Sequence, residues 1–192
     1  MDKFFANLWL VVLVGFGLAV VLTAIPDFAI APGVSSFGLA TAAMQWIHVF
    51  FGILWIGLLY YFNFVQVPAM PEIPAELKPA VTKHIAPKAL FYFRWAAALT
   101  VLAGLILANL YHELMEVITF QEGFRLLSIG VYLGLIMAFN VWFIIWPNQK
   151  KVLGLVEADD AAKAKAAKAA LIASRTNVLL SIPMLLAMTA FR

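Results

Sequence analysis

The chain has 192 residues, of which 65% are hydrophobic and only 12% charged, and its formal net charge is +3. So large an apolar share cannot be hidden inside one globule of this length, and the excess must face lipid rather than water. With no cysteine in the sequence, disulfides, thiolate metal centres, iron–sulfur clusters and covalent haem attachment through C-x-x-C-H are excluded. Any redox cofactor held by these residues is bound non-covalently, through His, Met or Lys.

Apolar runs approaching the roughly 20 residues of a transmembrane helix are expected at about 8–25, 44–67, 89–110, 124–147 and 175–191. Pro26-Asp27 ends the first. Lys3 before it and Ala29-Ile30-Ala31 after it are similar to a secretory leader and its cleavage site, but the run is read as a retained helix. The second run is open to an earlier start at the Ser35-Ser36 cap. Five prolines between Pro68 and Pro87 predict a rigid connection with about one helical turn. Gly130 and Gly134 form a G-x-x-x-G pair, which serves packing within the bundle or against a partner helix. The last run is short. It spans only if the Ala/Lys-rich helix expected at 158–174 continues into it, or if the bilayer thins. In that Ala/Lys-rich helix Asp159 stands four residues before Lys163, a favourable pair, and further on Pro183 predicts a kink.

Charge orients these runs. Lys3, Lys78, Lys83, Lys88, Lys150, Lys151, Lys163, Lys165, Lys168 and Arg175 fall on one side, Arg125 and Arg192 on the other, and Arg94 inside the third run. The positive-inside rule makes the basic side cytoplasmic. The expected fold class is all-α: a polytopic integral membrane bundle of about five helices, one membrane domain over 1–192, N-terminus cytoplasmic and C-terminus periplasmic. The expected location is the bacterial inner membrane, multi-pass, with the lipid bilayer as first partner. No internal repeat supports a transporter. No phosphate loop, hydrolase triad, metalloprotease helix or nucleic-acid surface is present in the sequence.

Polar groups inside lipid are costly and are the first functional candidates. His48 lies within the second run, with Gly52 and Gly57 following. A neutral imidazole there suits an axial ligand of haem iron, and equally a histidine hydrogen-bonded between helices. His112 follows the third run on the same side, so a bis-His haem with His48 is one expectation and a solvated loop histidine the other; Glu113 or Glu116 would orient the second imidazole. His84 falls on the opposite side. Nearer the basic side, Arg94, Asn63, Gln66, Asn140, Arg175 and Asn177 are expected at similar depth on four helices. They suit a carboxylate, an oxidised purine, a haem propionate or a lipid phosphate. They also suit helix–helix hydrogen bonding with a snorkelling arginine. Trp46, Trp95, Trp142 and Trp146 are expected as interfacial belt residues.

Three blocks carry a family resemblance: His48…Trp55-Ile56-Gly57, Asn140-Val141-Trp142…Trp146-Pro147-Asn148-Gln149-Lys150-Lys151, and Ser174-Arg175-Thr176-Asn177…Ser181-Ile182-Pro183-Met184. From about Gln45 onward the chain resembles the urate oxidase N-terminal family, the membrane domain of bacterial cytochrome c-linked urate oxidase. The H-x₆-W-x-G block is also similar to the haem-binding membrane protoporphyrinogen oxidase family. The first resemblance implies quinone- or cytochrome-linked oxidation of urate, with electrons leaving through a fused periplasmic cytochrome c. This sequence departs from that plan in having no C-x-x-C-H. The expected function is therefore a small membrane protein of this type, binding haem b and engaged in electron transfer or oxidation, with a separate periplasmic cytochrome c as its redox partner. A non-catalytic accessory subunit of a larger membrane complex is the second reading, and a small solute transporter the third.

Overall fold

The computed structural model describes residues 7–24 and 36–190, and every regular element among them is helical. Two compact units divide at residue 43. In the first, α1 is Leu8–Ala24, apolar but for Thr23 and 17 residues long, or roughly 26 Å at 1.5 Å per residue. Lys3, Pro26-Asp27, Ala29-Ile30-Ala31, Ser35 and Arg192 lie outside the described residues.

Four helices are long and apolar enough to cross a bilayer: Gly38–Ala69, Lys78–Leu110, Arg125–Val152 and Asp160–Ala190. They are called α2, α3, α5 and α6; the short helix Leu114–Ile118 between the second and third is α4. The helix that contains α2 starts just before it, at Ser36, the earlier of the two starts its sequence allows. The proline-rich connection is shorter than its five prolines suggest. Pro68 sits near the end of α2, and Pro79 and Pro87 lie within the first turns of α3, on either side of the π-helical turn Val81–Ile85. At Pro79 the missing N–H falls in the free first turn of α3, where it would have no partner anyway.

The last span is continuous with the Ala/Lys-rich segment over 31 residues, so the short apolar run does extend inward. Alanine makes the first half a strong helix former. Its start differs from the expected pairing. The Asp159 carboxylate caps the helix by accepting from the Ala162 N–H, at 2.6 Å, and Lys163 pairs instead with Asp160 at 3.7 Å. A cap satisfies an otherwise orphaned N–H, which outweighs an exposed ion pair.

Connections of a few residues make consecutive long helices antiparallel. The end of α2, both ends of the 153–159 connection and the start of α3 therefore share one end of the 44–192 unit. That end carries Lys78, Lys83, Lys88, Lys150, Lys151, Lys163, Lys165 and Lys168. The turn between α5 and α6 closes on Gly154 at φ +71°, with the Leu155 N–H bonded to the Lys150 carbonyl at 2.8 Å and the Gly154 N–H to the Lys151 carbonyl at 3.1 Å. This left-handed cap sits naturally on glycine.

α6 is the central partner in this unit, packing along α5 and reaching α2. Its inward stripe is small or polar except for Met184: Ala166, Ala170, Ala173, Asn177, Ser181, Met184 and Ala187 are all buried. Small residues let backbones approach closely where lipid removes the hydrophobic drive for helix association. Gly130 completes the fit. A Cβ there would lie 3.0 Å from the Ala187 Cβ and 3.4 Å from the Met188 Cε, whereas one at Gly134 would meet nothing within 4 Å. The G-x-x-x-G pair thus serves packing inside the bundle, and Gly130 is the member that matters. Gly130→Leu should lower stability by about 1–3 kcal/mol through overpacking, while Gly134→Ala should leave it unchanged or raised. Thermal unfolding of the detergent-solubilised protein, followed by circular dichroism, distinguishes the two.

Candidate functional sites: a histidine notch and a buried amide ladder

His48 lies on the face of α2 turned toward α3. Its Nδ1 is 2.8 Å from the Thr100 carbonyl. A carbonyl only accepts, so the shared proton belongs to Nδ1, and in the neutral ring the lone pair then sits on Nε2. Among the described residues Nε2 has no hydrogen-bond partner. Gly104 shapes the notch: a Cβ at that position would come within 2.8 Å of the imidazole Cε1 and 2.9 Å of Nδ1. Gly52, one turn along α2, faces the Thr100 methyl, 3.8 Å from where its own Cβ would be. Thr100 in turn donates its hydroxyl to the Ala96 carbonyl at 2.7 Å. Gly52 and Gly104 are therefore used in bringing α2 and α3 together around the imidazole. Gly57 is exposed with open space at its Cβ.

His112 does not share this notch. It lies eight residues beyond Gly104, roughly 12 Å along the helix axis. Tyr111, beside it, donates to the Gln45 side chain at 3.3 Å and ties the end of α3 to α2. His112 terminates α3 in a left-handed conformation, φ 59°, with its N–H on the Asn109 carbonyl and the Glu113 N–H on the Ala108 carbonyl. Glycine is the residue best suited to that position. His112→Gly should therefore raise stability by up to about 1 kcal/mol in a chemical or thermal melt, and a loss of that size or more would show that the imidazole itself is needed.

The polar groups near the basic end divide into two sets. One is a ladder of buried amides and hydroxyls centred on α6. The Asn140 Nδ2 donates to the Asn177 Oδ1 at 2.8 Å, and the Asn177 Nδ2 donates to the Met137 carbonyl at 3.0 Å. Asn63 donates to the Ser174 hydroxyl and to the Leu59 carbonyl, both at 2.8 Å. Tyr60 and Ser181 hydroxyls meet at 2.9 Å, and Ser181 also donates to the Val178 carbonyl. Asn63 and Asn140 each lie in a π-helical turn, Tyr61–Gln66 and Asn140–Ile145. Such turns insert a residue into the helical register and re-aim side chains; here they stand beside α6.

Arg94 belongs to the second set. Its guanidinium lies 3.5 Å from the Trp146 ring centroid and 5.8 Å from that of Phe91, with a long 3.4 Å contact to the Leu90 carbonyl. Trp146 is thus a cation–π platform rather than a free belt residue, and Trp142 is engaged edge-on by Trp95 at 5.5 Å. Trp95 and Trp46 are exposed, as belt residues would be. The Arg94 Nε, Gln66 Oε1, Asn63 Oδ1, and the indole N–H groups of Trp55 and Trp142 are buried with no protein hydrogen-bond partner. Arg175 joins neither set, because Ser174 and Asn177 face inward and leave it exposed. No cluster of three or more His, Cys, Asp or Glu side chains able to hold a metal ion occurs among the described residues.

Sequence reasoning found His48, Arg94, Asn63, Asn140 and Asn177. It missed Thr100 and Gly104, which fix His48, and the roles of Tyr60, Ser174 and Ser181. The spacing of Ser174, Asn177 and Ser181, three and then four residues apart within an apolar helix, was the available signal for one polar stripe.

The helices and their buried polar stripe define a multi-pass α-helical membrane protein. Residues 112–191 match the family model described as urate oxidase N-terminal, so the resemblance carried by the Asn140–Lys151 and Ser174–Met184 blocks is shown over α4, α5 and α6. His48 and Arg94 fall before the matched stretch. No curated protein and no solved structure matches the chain.

The amide ladder has a measurable strength. Asn140→Ala and Asn177→Ala should each destabilise the protein. A double-mutant cycle between them should give a coupling of about 0.5–1.7 kcal/mol, the range for interhelical hydrogen bonds in lipid, read from unfolding in mixed micelles.

Proposed function

We propose that the chain is a membrane electron-transfer or oxidation protein of the urate oxidase N-terminal type, holding haem b with His48 as an axial ligand. The observation that supports this reading is the imidazole itself. The Nδ1–H bond to the Thr100 carbonyl orients the ring and leaves the Nε2 lone pair free, the arrangement seen at metal-ligating histidines generally. The donor set fits one axial position. It does not bring His112 to the same iron, nor Arg94 to a propionate, since the guanidinium turns back toward Leu90, ten residues or roughly 15 Å from Thr100. Bound haem would supply one-electron chemistry; His48, Thr100 and Gly104 would supply a fixed ligand direction and tautomer. The basic end faces the cytoplasm in this reading, the membrane is the bacterial inner membrane, and a periplasmic cytochrome c is the partner that accepts electrons.

The alternative, a non-catalytic subunit of a larger membrane complex, is favoured by one observation: a polar surface hollow mostly outside the spans, around Gly154–Lys163, lies away from His48.

Protein purified from membranes should show a Soret band that is lost in His48→Ala. Gly104→Ala, which places a methyl against the ring, should weaken or shift it while His112→Gly retains it. A colourless wild-type protein from haem-replete cells rejects the haem reading, and fixed-stoichiometry co-purification with larger membrane proteins then supports the alternative.

A further inference from the structure

The outward face of α6 changes character within one helical turn. Through Lys168 it presents Lys165, Lys168 and alanines; from Leu171 onward it presents Leu171, Ile172, Leu179, Ile182 and Leu186, with Ile172 58% and Leu179 69% exposed. A face that turns from charged and small to bulky and apolar passes from water into hydrocarbon at the change. Arg175 stands about one turn past it, exposed, and no carboxylate pairs with it among the described residues. Together with Leu171, Ile172, Thr176 and Leu179 it lines a shallow open groove on the surface of α6 alone.

A guanidinium at that depth snorkels to the headgroup level, where an anion is its natural counterpart. Its protein surroundings offer apolar side chains and the Thr176 hydroxyl, which already donates to the Ile172 carbonyl at 3.0 Å. The planar fork of N–H donors matches two oxygens of a phosphodiester. The apolar walls are continuous with the lipid-facing surface of the same helix, which matches an acyl chain. Lys168 lies two turns toward the basic end on the same face and adds positive potential where a headgroup would sit.

We propose that this groove binds one anionic phospholipid, its phosphate on Arg175 and its acyl chain along Ile172 and Leu179. The site is independent of His48, so its failure would leave the haem reading untouched. Delipidated full-length protein in neutral detergent, titrated with phosphatidylglycerol or phosphatidylcholine and weighed by native mass spectrometry, tests it. Wild type should retain one phosphatidylglycerol with a preference of about fivefold over phosphatidylcholine, the factor one interfacial basic residue supplies. Arg175→Ala and Arg175→Gln should bring the preference to near unity, Arg175→Lys should keep part of it, and Lys151→Ala should leave it intact. Phosphatidylglycerol should also raise the thermal midpoint of wild type but not of Arg175→Gln. Equal binding of the two lipids, a preference that survives both Arg175→Ala and Arg175→Gln, or one lost equally in Lys151→Ala overturns the proposal. So does displacement by inorganic phosphate as effective as by the lipid, which would mark a free-anion site, or occupation of the groove by a co-purifying protein.

Discussion

The 44–192 unit depends on one physical constraint: a side-chain amide buried in a membrane bundle must find its hydrogen bonds inside the protein. Asn177 is fully buried and meets that constraint at both ends, accepting from Asn140 and donating to the Met137 carbonyl. Its bonds set the register of α6 against α5. Once that register holds, Ala187 reaches Gly130, and Ser174 and Ser181 reach Asn63 and Tyr60 on α2. Apolar surfaces alone would not select this register, because lipid tails compete equally well for them. The polar ladder therefore supplies specificity and the small residues supply close approach.

The histidine notch follows the same logic on the other helix pair. His48 is held by a backbone carbonyl of α3, and Gly104 is the vacancy that lets the ring reach it. One arrangement satisfies the imidazole and fixes its tautomer. It ties α2 to α3 whether or not a cofactor is bound, so the helix-bonding and ligand readings of His48 are compatible: Nδ1 serves the first and Nε2 is left for the second. The two polar systems lie at different levels of the bundle. Arg94, packed on Trp146, is nearer the basic end.

Much of the architecture was legible in the chain. Helix-forming runs, their approximate ends, the basic end of the bundle and the inward extension of the last span all follow from local composition, since a bilayer-length apolar run must satisfy its own backbone as a helix. Helical extents were less legible. The proline-rich connection looked longer than it is because prolines at helix starts and in interior turns look alike in sequence. Asp159 looked like half of an ion pair and is a cap, since both roles need a carboxylate at that spot. Candidate site residues were found by residue type, but their grouping by depth was too coarse. Arg175 is adjacent to Ser174 and two residues from Asn177, yet it faces the opposite way, because successive helical residues turn by about 100°.

Sequence by itself determined that this protein is α-helical, has helices apolar enough to lie in lipid, carries the lysines of its 44–192 unit at one end of that unit, and matches the urate oxidase N-terminal family model over residues 112–191. These properties are sums over local composition or short contiguous blocks. Tertiary structure alone decided which polar groups meet: His48 with Thr100 across 52 residues, Asn63 with Ser174 across 111, Tyr60 with Ser181 across 121. It also decided that Gly104 and Gly130 are points of contact while Gly57 and Gly134 are not. Those outcomes depend on the rotation and register of each helix against its neighbours, which no single helix encodes.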